Sequence, residues 1–137
     1  LASFNKVTLV DFGFAGFVLP EYRETELFVS TDKPNGTPYY MAPEIVLQDI
    51  KNETDLYASD IWSLGVTMYY LFYRETPYYA SSLKDLYKIM KRGGPREIIF
   101  HDFRIIPSNL RIMIERSLIF DRKKRATIQE LQEFIKT

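Results

Sequence analysis

Three carboxylates stand in short, well-marked settings where they could bind a cation or hold a buried charge. Asp11 opens Asp11-Phe12-Gly13, Glu44 closes Ala42-Pro43-Glu44, and Asp60 lies in Ser59-Asp60-Ile61-Trp62-Ser63-Leu64-Gly65. A basic run from Arg122 to Arg125 offers guanidinium groups, which meet carboxylates through two parallel hydrogen bonds. Each residue taken alone has an ordinary explanation: a turn aspartate, solvated surface charges, or an acid favoured by the dipole in the first turn of a helix. Their order and spacing argue for more. The Asp-Phe-Gly and Ala-Pro-Glu triplets have 28 residues between them, and that stretch holds the hydroxyls of Ser30, Thr31 and Thr37 and the pair Tyr39-Tyr40.

Several other chemistries are closed to this chain. It has no cysteine, which excludes disulfides and thiolate metal sites, and its single histidine argues against a His-rich metal site. His101 lies in an irregular stretch far in sequence from the triplets, so a surface or packing role is expected for it rather than acid–base work. Lys plus Arg and Asp plus Glu balance at 18 each, so no global field draws the chain to nucleic acid or anionic lipid, and the 122–125 run is expected to be a solvated face. The cysteine count fits an intracellular, cytoplasmic setting. With 46% hydrophobic and 15% aromatic residues, the 137-residue chain is too apolar for a disordered segment and has room for one core.

The elements that must position these side chains can be read from periodicity. Val7-Thr8-Leu9-Val10 is apolar and β-branched and is expected to be a short strand running into the turn at Asp11 and Gly13. Phe14 to Met41 shows no sustained period and contains Pro20, Pro34, Gly36 and Pro38, the signature of a long functional loop. Ile61, Leu64, Gly65, Met68, Leu71 and Phe72 then recur at helical spacing, with other faces also apolar, which predicts a central helix buried all round. Its run from Ile61 to Tyr73 is interrupted by Ser63, Gly65 and Thr67 and is shorter than the roughly 20 residues that cross a bilayer. Leu83, Leu86, Tyr87 and Met90 predict a second helix, closed by Gly93-Gly94-Pro95. Ser108 is the expected N-cap of a third, with Leu110, Met113, Ile114 and Leu118 inward, and Thr127 with Glu130 forms a capping box ahead of Ile128, Leu131 and Ile135. Leu1 to Val10 has no initiator Met and no cationic lead into an apolar run, so no secretory signal is read there.

With its motifs in the order Asp-Phe-Gly, Gly36-Thr37-x-x-Tyr40-x-Ala-Pro-Glu, Asp60-x-Trp62-Ser63-x-Gly65 and Arg125-x-Thr127, the chain resembles the protein kinase family along nearly its whole length. The resemblance implies a mainly α fold like the large, C-terminal lobe of a kinase, lacking the β-rich small lobe and the catalytic loop. It divides the chain into the end of a hairpin with Asp-Phe-Gly (1–13), an activation segment (14–44) and lobe helices (45–137). It also implies a parent serine/threonine kinase that moves the γ-phosphoryl group of ATP to protein hydroxyls.

The roles that follow from the resemblance are specific. Asp11 is a Mg²⁺ ligand, and Phe12 and Gly13 complete the nucleotide-side triplet that lets the segment switch state. Thr37 floors the substrate site, and Tyr39, Tyr40 and Met41 line the pocket for the residue after the phosphoacceptor. Glu44 pairs with Arg125, Asp60 anchors the catalytic loop, Trp62 packs beneath Ala-Pro-Glu, and Gly65 completes the central-helix motif. The implied partners are ATP and a protein substrate, with neither nucleic acid nor membrane, and no oligomeric state is implied.

The chain also departs from the family pattern. No Gly-rich loop, strand lysine with its helix glutamate, or H-R-D-x-x-x-x-N occurs in it, so the catalytic aspartate is expected upstream and the isolated chain is expected to be inactive and marginally stable. A pseudokinase or truncated helical scaffold that binds partners without chemistry is the alternative. Lys33 takes the place of a common activating threonine, which leaves Ser30 and Thr31 as candidate phosphoacceptors, and Arg122 replaces the proline usual before the conserved arginine.

Overall fold

The computed structural model describes residues 2–3, 6–9 and 38–136, and the described residues fall into two units divided after residue 35. In the first, β1 (Ala2–Ser3) pairs antiparallel with β2 (Lys6–Val7), in register Ala2 to Val7 and Ser3 to Lys6. The expected strand starts one residue earlier than Val7 and stops there, and Thr8 and Leu9 lie beyond the ladder.

The second unit is helical. A single 3-10 turn, Pro38–Tyr40, precedes α1 (Pro43–Val46), and the long α2 (Glu53–Tyr73), α3 (Leu83–Lys91), α4 (Ser108–Ser117) and α5 (Ile128–Lys136) follow. The described residues are thus mainly α, as the resemblance implied.

Local chemistry explains where these helices begin and end. Pro43 opens α1 at a position whose N–H has no intrahelical partner, so the ring costs nothing there. The Asn52 side chain caps α2 by accepting from the Asp55 N–H at 3.1 Å, and Glu53 and Asp55 place negative charge on the positive end of the dipole. Ser82 caps α3 in the same way through Asp85 N–H at 3.1 Å. That helix closes with Gly94 N–H on Ile89 O and Gly93 N–H on Met90 O, a Schellman arrangement that requires the φ of 110° at Gly93. Thr127 and Glu130 exchange reciprocal bonds of 2.8 and 3.2 Å, which completes the capping box of α5.

Two expectations are corrected. The cap of α4 is Pro107 rather than Ser108, because the extended backbone at Pro107 already points its carbonyl into the helix and makes Ser108 the first helical residue. The central helix α2 is not buried all round. Ile61, Trp62, Gly65, Val66, Tyr69 and Tyr73 face inward, while Tyr57, Leu64, Tyr70 and Leu71 stay exposed, Leu71 at 61%.

The main core gathers Met41, Ala42 and Val46 from the N-terminal side against Trp62, Val66 and Tyr69 of α2, Leu86 and Met90 of α3, and Ile114 of α4. A smaller cluster of Ile61, Met113, Ala126 and Leu131 holds α5 in place. Gly65 lets α4 approach closely, since a Cβ there would lie 2.6 Å from Ser117 Cβ. Among the described residues, no helix is long and apolar enough to cross a membrane.

Candidate functional site

Asp11, Phe12, Gly13, Ser30, Thr31 and Thr37 lie outside the described residues. The described part of the candidate site therefore starts at the 3-10 turn. The Tyr39 hydroxyl donates to the Ala80 carbonyl, and the Tyr39 carbonyl accepts from Tyr78 O–H at 2.9 Å. Ser63 of α2 donates to the Tyr40 carbonyl at 2.6 Å. Tyr39 and Tyr40 keep partial exposure, whereas Met41, at 6%, supports the turn from inside the core.

Beneath this turn lies a dry polar network. The Trp62 indole N–H donates to the Tyr78 hydroxyl at 3.3 Å, and burial pushes the Tyr78 pKa up to about 12 against a smaller opposing effect from that bond. On its other side the Trp62 ring receives the Arg125 guanidinium at 5.1 Å, a cation–π contact inside a desolvated pocket.

Arg125 is the centre of the arrangement. Its Nη1 and Nη2 meet the two oxygens of Glu44 at 2.7 and 3.1 Å, and both side chains are essentially inaccessible, at 0% and 2%. Nη1 also donates to Ala58 O, Nη2 to Phe120 O, and Nε to Ile119 O. A guanidinium has five N–H donors, and all five are used. This matters because a buried charge with an unmet donor costs several kcal/mol, whereas a fully met one closes a contact between residues 81 positions apart. The arginine thereby joins the α1 start, α2 and the turn before α5.

A second arginine on the same turn was noted in the sequence only as a departure from the family pattern, with no partner expected for it. Arg122, 16% exposed, places Nε 2.9 Å from Asp55 Oδ1 and Nη1 3.2 Å from Asp49 Oδ2. Its signal in the sequence was the charge where a proline was expected. Lys123 and Lys124 are exposed, so the expectation of a solvated basic face holds for them and fails at Arg122, while Arg125 is buried as its expected pairing with Glu44 requires.

The protein kinase domain family matches residues 1–134 of this sequence. The chain belongs to the protein kinase family. It is similar to the serine/threonine-protein kinase ppk34 of Schizosaccharomyces pombe (strain 972 / ATCC 24843), with 36% identity over 132 residues that cover 93% of this chain and 32% of that relative. It is also similar to the serine/threonine-protein kinase PAK 5 of Rattus norvegicus and of Mus musculus, at 33% identity in each case, covering 96% of this chain and 17% of the relative. The chain thus spans about a third or less of the length of these curated relatives.

Within this kinase unit Asp60 stands apart from the other acids. The residue is exposed and its side chain has no hydrogen-bond or ion-pair partner among the described residues, yet enough protein surrounds its carboxyl to raise its pKa by desolvation. His101 sits in a packing setting: its ring stacks on Phe103, meets Tyr73 edge-on and contacts the Glu75 carboxylate. Among the described residues no cluster of His, Asp and Glu could hold a metal ion.

Proposed function

We propose that this chain is part of a serine/threonine protein kinase that transfers the γ-phosphoryl group of ATP to serine or threonine hydroxyls of a protein substrate. The observation that supports it most is the closed Glu44–Arg125 pair, which fixes the end of the segment that would present Thr37, Tyr39 and Tyr40 to substrate.

In this reading Asp11 holds Mg²⁺, and its carboxylate is the hard oxygen donor that this cation prefers. When bound, Mg²⁺ would offset phosphate charge and ATP would supply the group to be transferred. Phe12 and Gly13 shape the backbone beside the nucleotide. Thr37 orients the acceptor side, and Tyr39 and Tyr40 form the wall against the residue that follows the acceptor, with Met41 supporting them from the core. Asp60, desolvated and without a partner among the described residues, accepts from backbone N–H groups of the catalytic loop. The general base is an aspartate of that loop in an upstream part of the parent protein, so residues 1–137 alone do not catalyse. Phosphate on Ser30 or Thr31 would order the segment by adding charge.

The test uses the parent polypeptide purified from its own cells, with its intact mass measured first. With labelled ATP and Mg²⁺ it phosphorylates serine and threonine peptides, and Asp11→Asn abolishes transfer. A wild-type parent that transfers nothing, or that labels only tyrosine, overturns the reading, and the first of these outcomes moves the protein to the scaffold class.

A further inference from the structure

Resting on that reading, we infer that Arg122 is a positioning residue for protein substrate: it forms the outer half of a two-arginine clamp that holds the base of the substrate segment in register. Arg122 and Arg125 occupy one turn, in which Lys124 N–H and Arg125 N–H both bond Asp121 O. A rigid turn makes the two guanidinium groups act as one grip. Arg125 takes Glu44 at the first turn of α1, and Arg122 takes Asp49 and Asp55 on either side of the loop that leaves α1 and enters α2.

The loop is tied at each point the clamp touches. Asp49 N–H bonds Glu44 O at 2.8 Å, so Asp49 and Glu44 move together. Asp55 Oδ2 accepts from Lys51 N–H at 2.9 Å, while its Oδ1 meets Arg122. Asp55 is as buried as a core residue, with 8% of its side chain exposed, and Arg122 is the cation that neutralises it. Removing Arg122 leaves a buried carboxylate uncompensated, and the loop must open to hydrate it. That opening pulls on Glu44 through Asp49 and reaches the adjoining Tyr39–Tyr40 wall, so the loss falls on docking of the protein substrate and not on ATP.

The experiment compares wild type, Arg122→Ala and Arg122→Lys in the parent kinase, with kinetics and amide hydrogen exchange side by side. Expected for Arg122→Ala is a rise of about tenfold in KM for a protein or peptide substrate, with KM for ATP and kcat within about twofold of wild type. Exchange at the Asp49 and Lys51 amides accelerates by about tenfold or more, while amides in the centre of α2 keep their protection. Arg122→Lys recovers less than half of the effect, because one ammonium cannot reach two carboxylates that a planar fork spans. Wild-type exchange in residues 49–55 of Arg122→Ala overturns the clamp. Accelerated exchange with unchanged substrate KM overturns the positioning role. If the wild-type parent has no transfer activity, the kinase reading and the substrate role fall together, and the exchange result still decides whether Arg122 holds the loop.

Discussion

Arg125 and Arg122 lie three residues apart on one turn, are chemically identical, and face opposite ends of the same problem. Arg125 is fully desolvated, meets both Glu44 oxygens, uses every N–H it has and rests on the Trp62 ring. Arg122 keeps 16% exposure and divides its fork between a buried acid, Asp55, and a half-exposed one, Asp49, at 51%. Geometry alone does not set the worth of an ion pair. Water competes for the outer arginine, and for the inner one it cannot.

The largest effect should come from breaking the inner pair on one side only. Arg125→Ala leaves the Glu44 carboxylate buried without its counter-charge and is expected to destabilise the fold by about 3–5 kcal/mol, a large share of the roughly 5–15 kcal/mol available to a domain. Chemical denaturation measures this. The comparison sharpens if Arg125→Met is combined with Glu44→Leu: the double variant should cost less than the single one, because no orphan charge remains. A double variant as damaging as Arg125→Ala would show that the pair's worth lies in its hydrogen bonds to Ala58, Ile119 and Phe120.

Tyr78 reports on the same dry region from the other side of Trp62. Burial raises its pKa from 10.0 to about 12, so above pH 10 the unfolded chain loses the proton first while the folded state still holds it. A group raised in this way contributes stability below the unfolded pKa and loses it as pH rises through the folded one. The contribution of about 2–3 kcal/mol should therefore be complete below pH 10 and disappear between pH 10 and about 12. Denaturation followed across that window should show the decline, and Tyr78→Phe should flatten it. An unchanged slope in Tyr78→Phe would mean that other tyrosines carry the alkaline transition.

Gly65 tests whether the interior beneath the clamp can give. Alanine there sets a methyl 2.6 Å from Ser117 Cβ and 3.1 Å from Leu118, so α2 and α4 must separate. The expected cost is about 1–3 kcal/mol by thermal or urea unfolding. Because the clamp turn follows α4 in the chain, Gly65→Ala should also weaken the Trp62–Arg125 contact, which is visible as a shift in tryptophan emission.

Much of this architecture was legible in advance, for reasons that can be named. The 3.6-residue period located α2, and the Thr127–Glu130 spacing marked the start of α5, because both are local rules. Glu44 and Arg125 could be matched only through the family pattern, since nothing local links residues 81 apart. What escaped the sequence was set by neighbours. Apolar Leu64 and Leu71 follow the helical period yet remain exposed, because periodicity records which residues share a face and not what packs against it. The 3-10 turn at Pro38–Tyr40 cuts short a loop that looked featureless, as its hydrogen bonds go to Ser63, Tyr78 and Ala80 from other elements. Arg122 read as a missing proline, and the acids that explain it lie 67 or more positions away.

The smallest effect should belong to the outer arginine, and its size decides how far the two really differ. Arg122→Ala is expected to cost about 1 kcal/mol or somewhat more, above the usual surface pair because Asp55 is buried and well below Arg125→Ala because water can enter. Double-mutant cycles divide that cost between the partners: coupling to Asp55 should exceed coupling to Asp49, whose 51% exposure leaves it hydrated with or without the arginine. Salt makes the same division, since about 1 M salt screens the exposed Asp49 contact and leaves the Asp55 contact largely intact. Equal couplings would mean that Arg122 is held by geometry alone. A coupling to Asp55 as large as that between Arg125 and Glu44 would erase the distinction and make the whole turn part of the core.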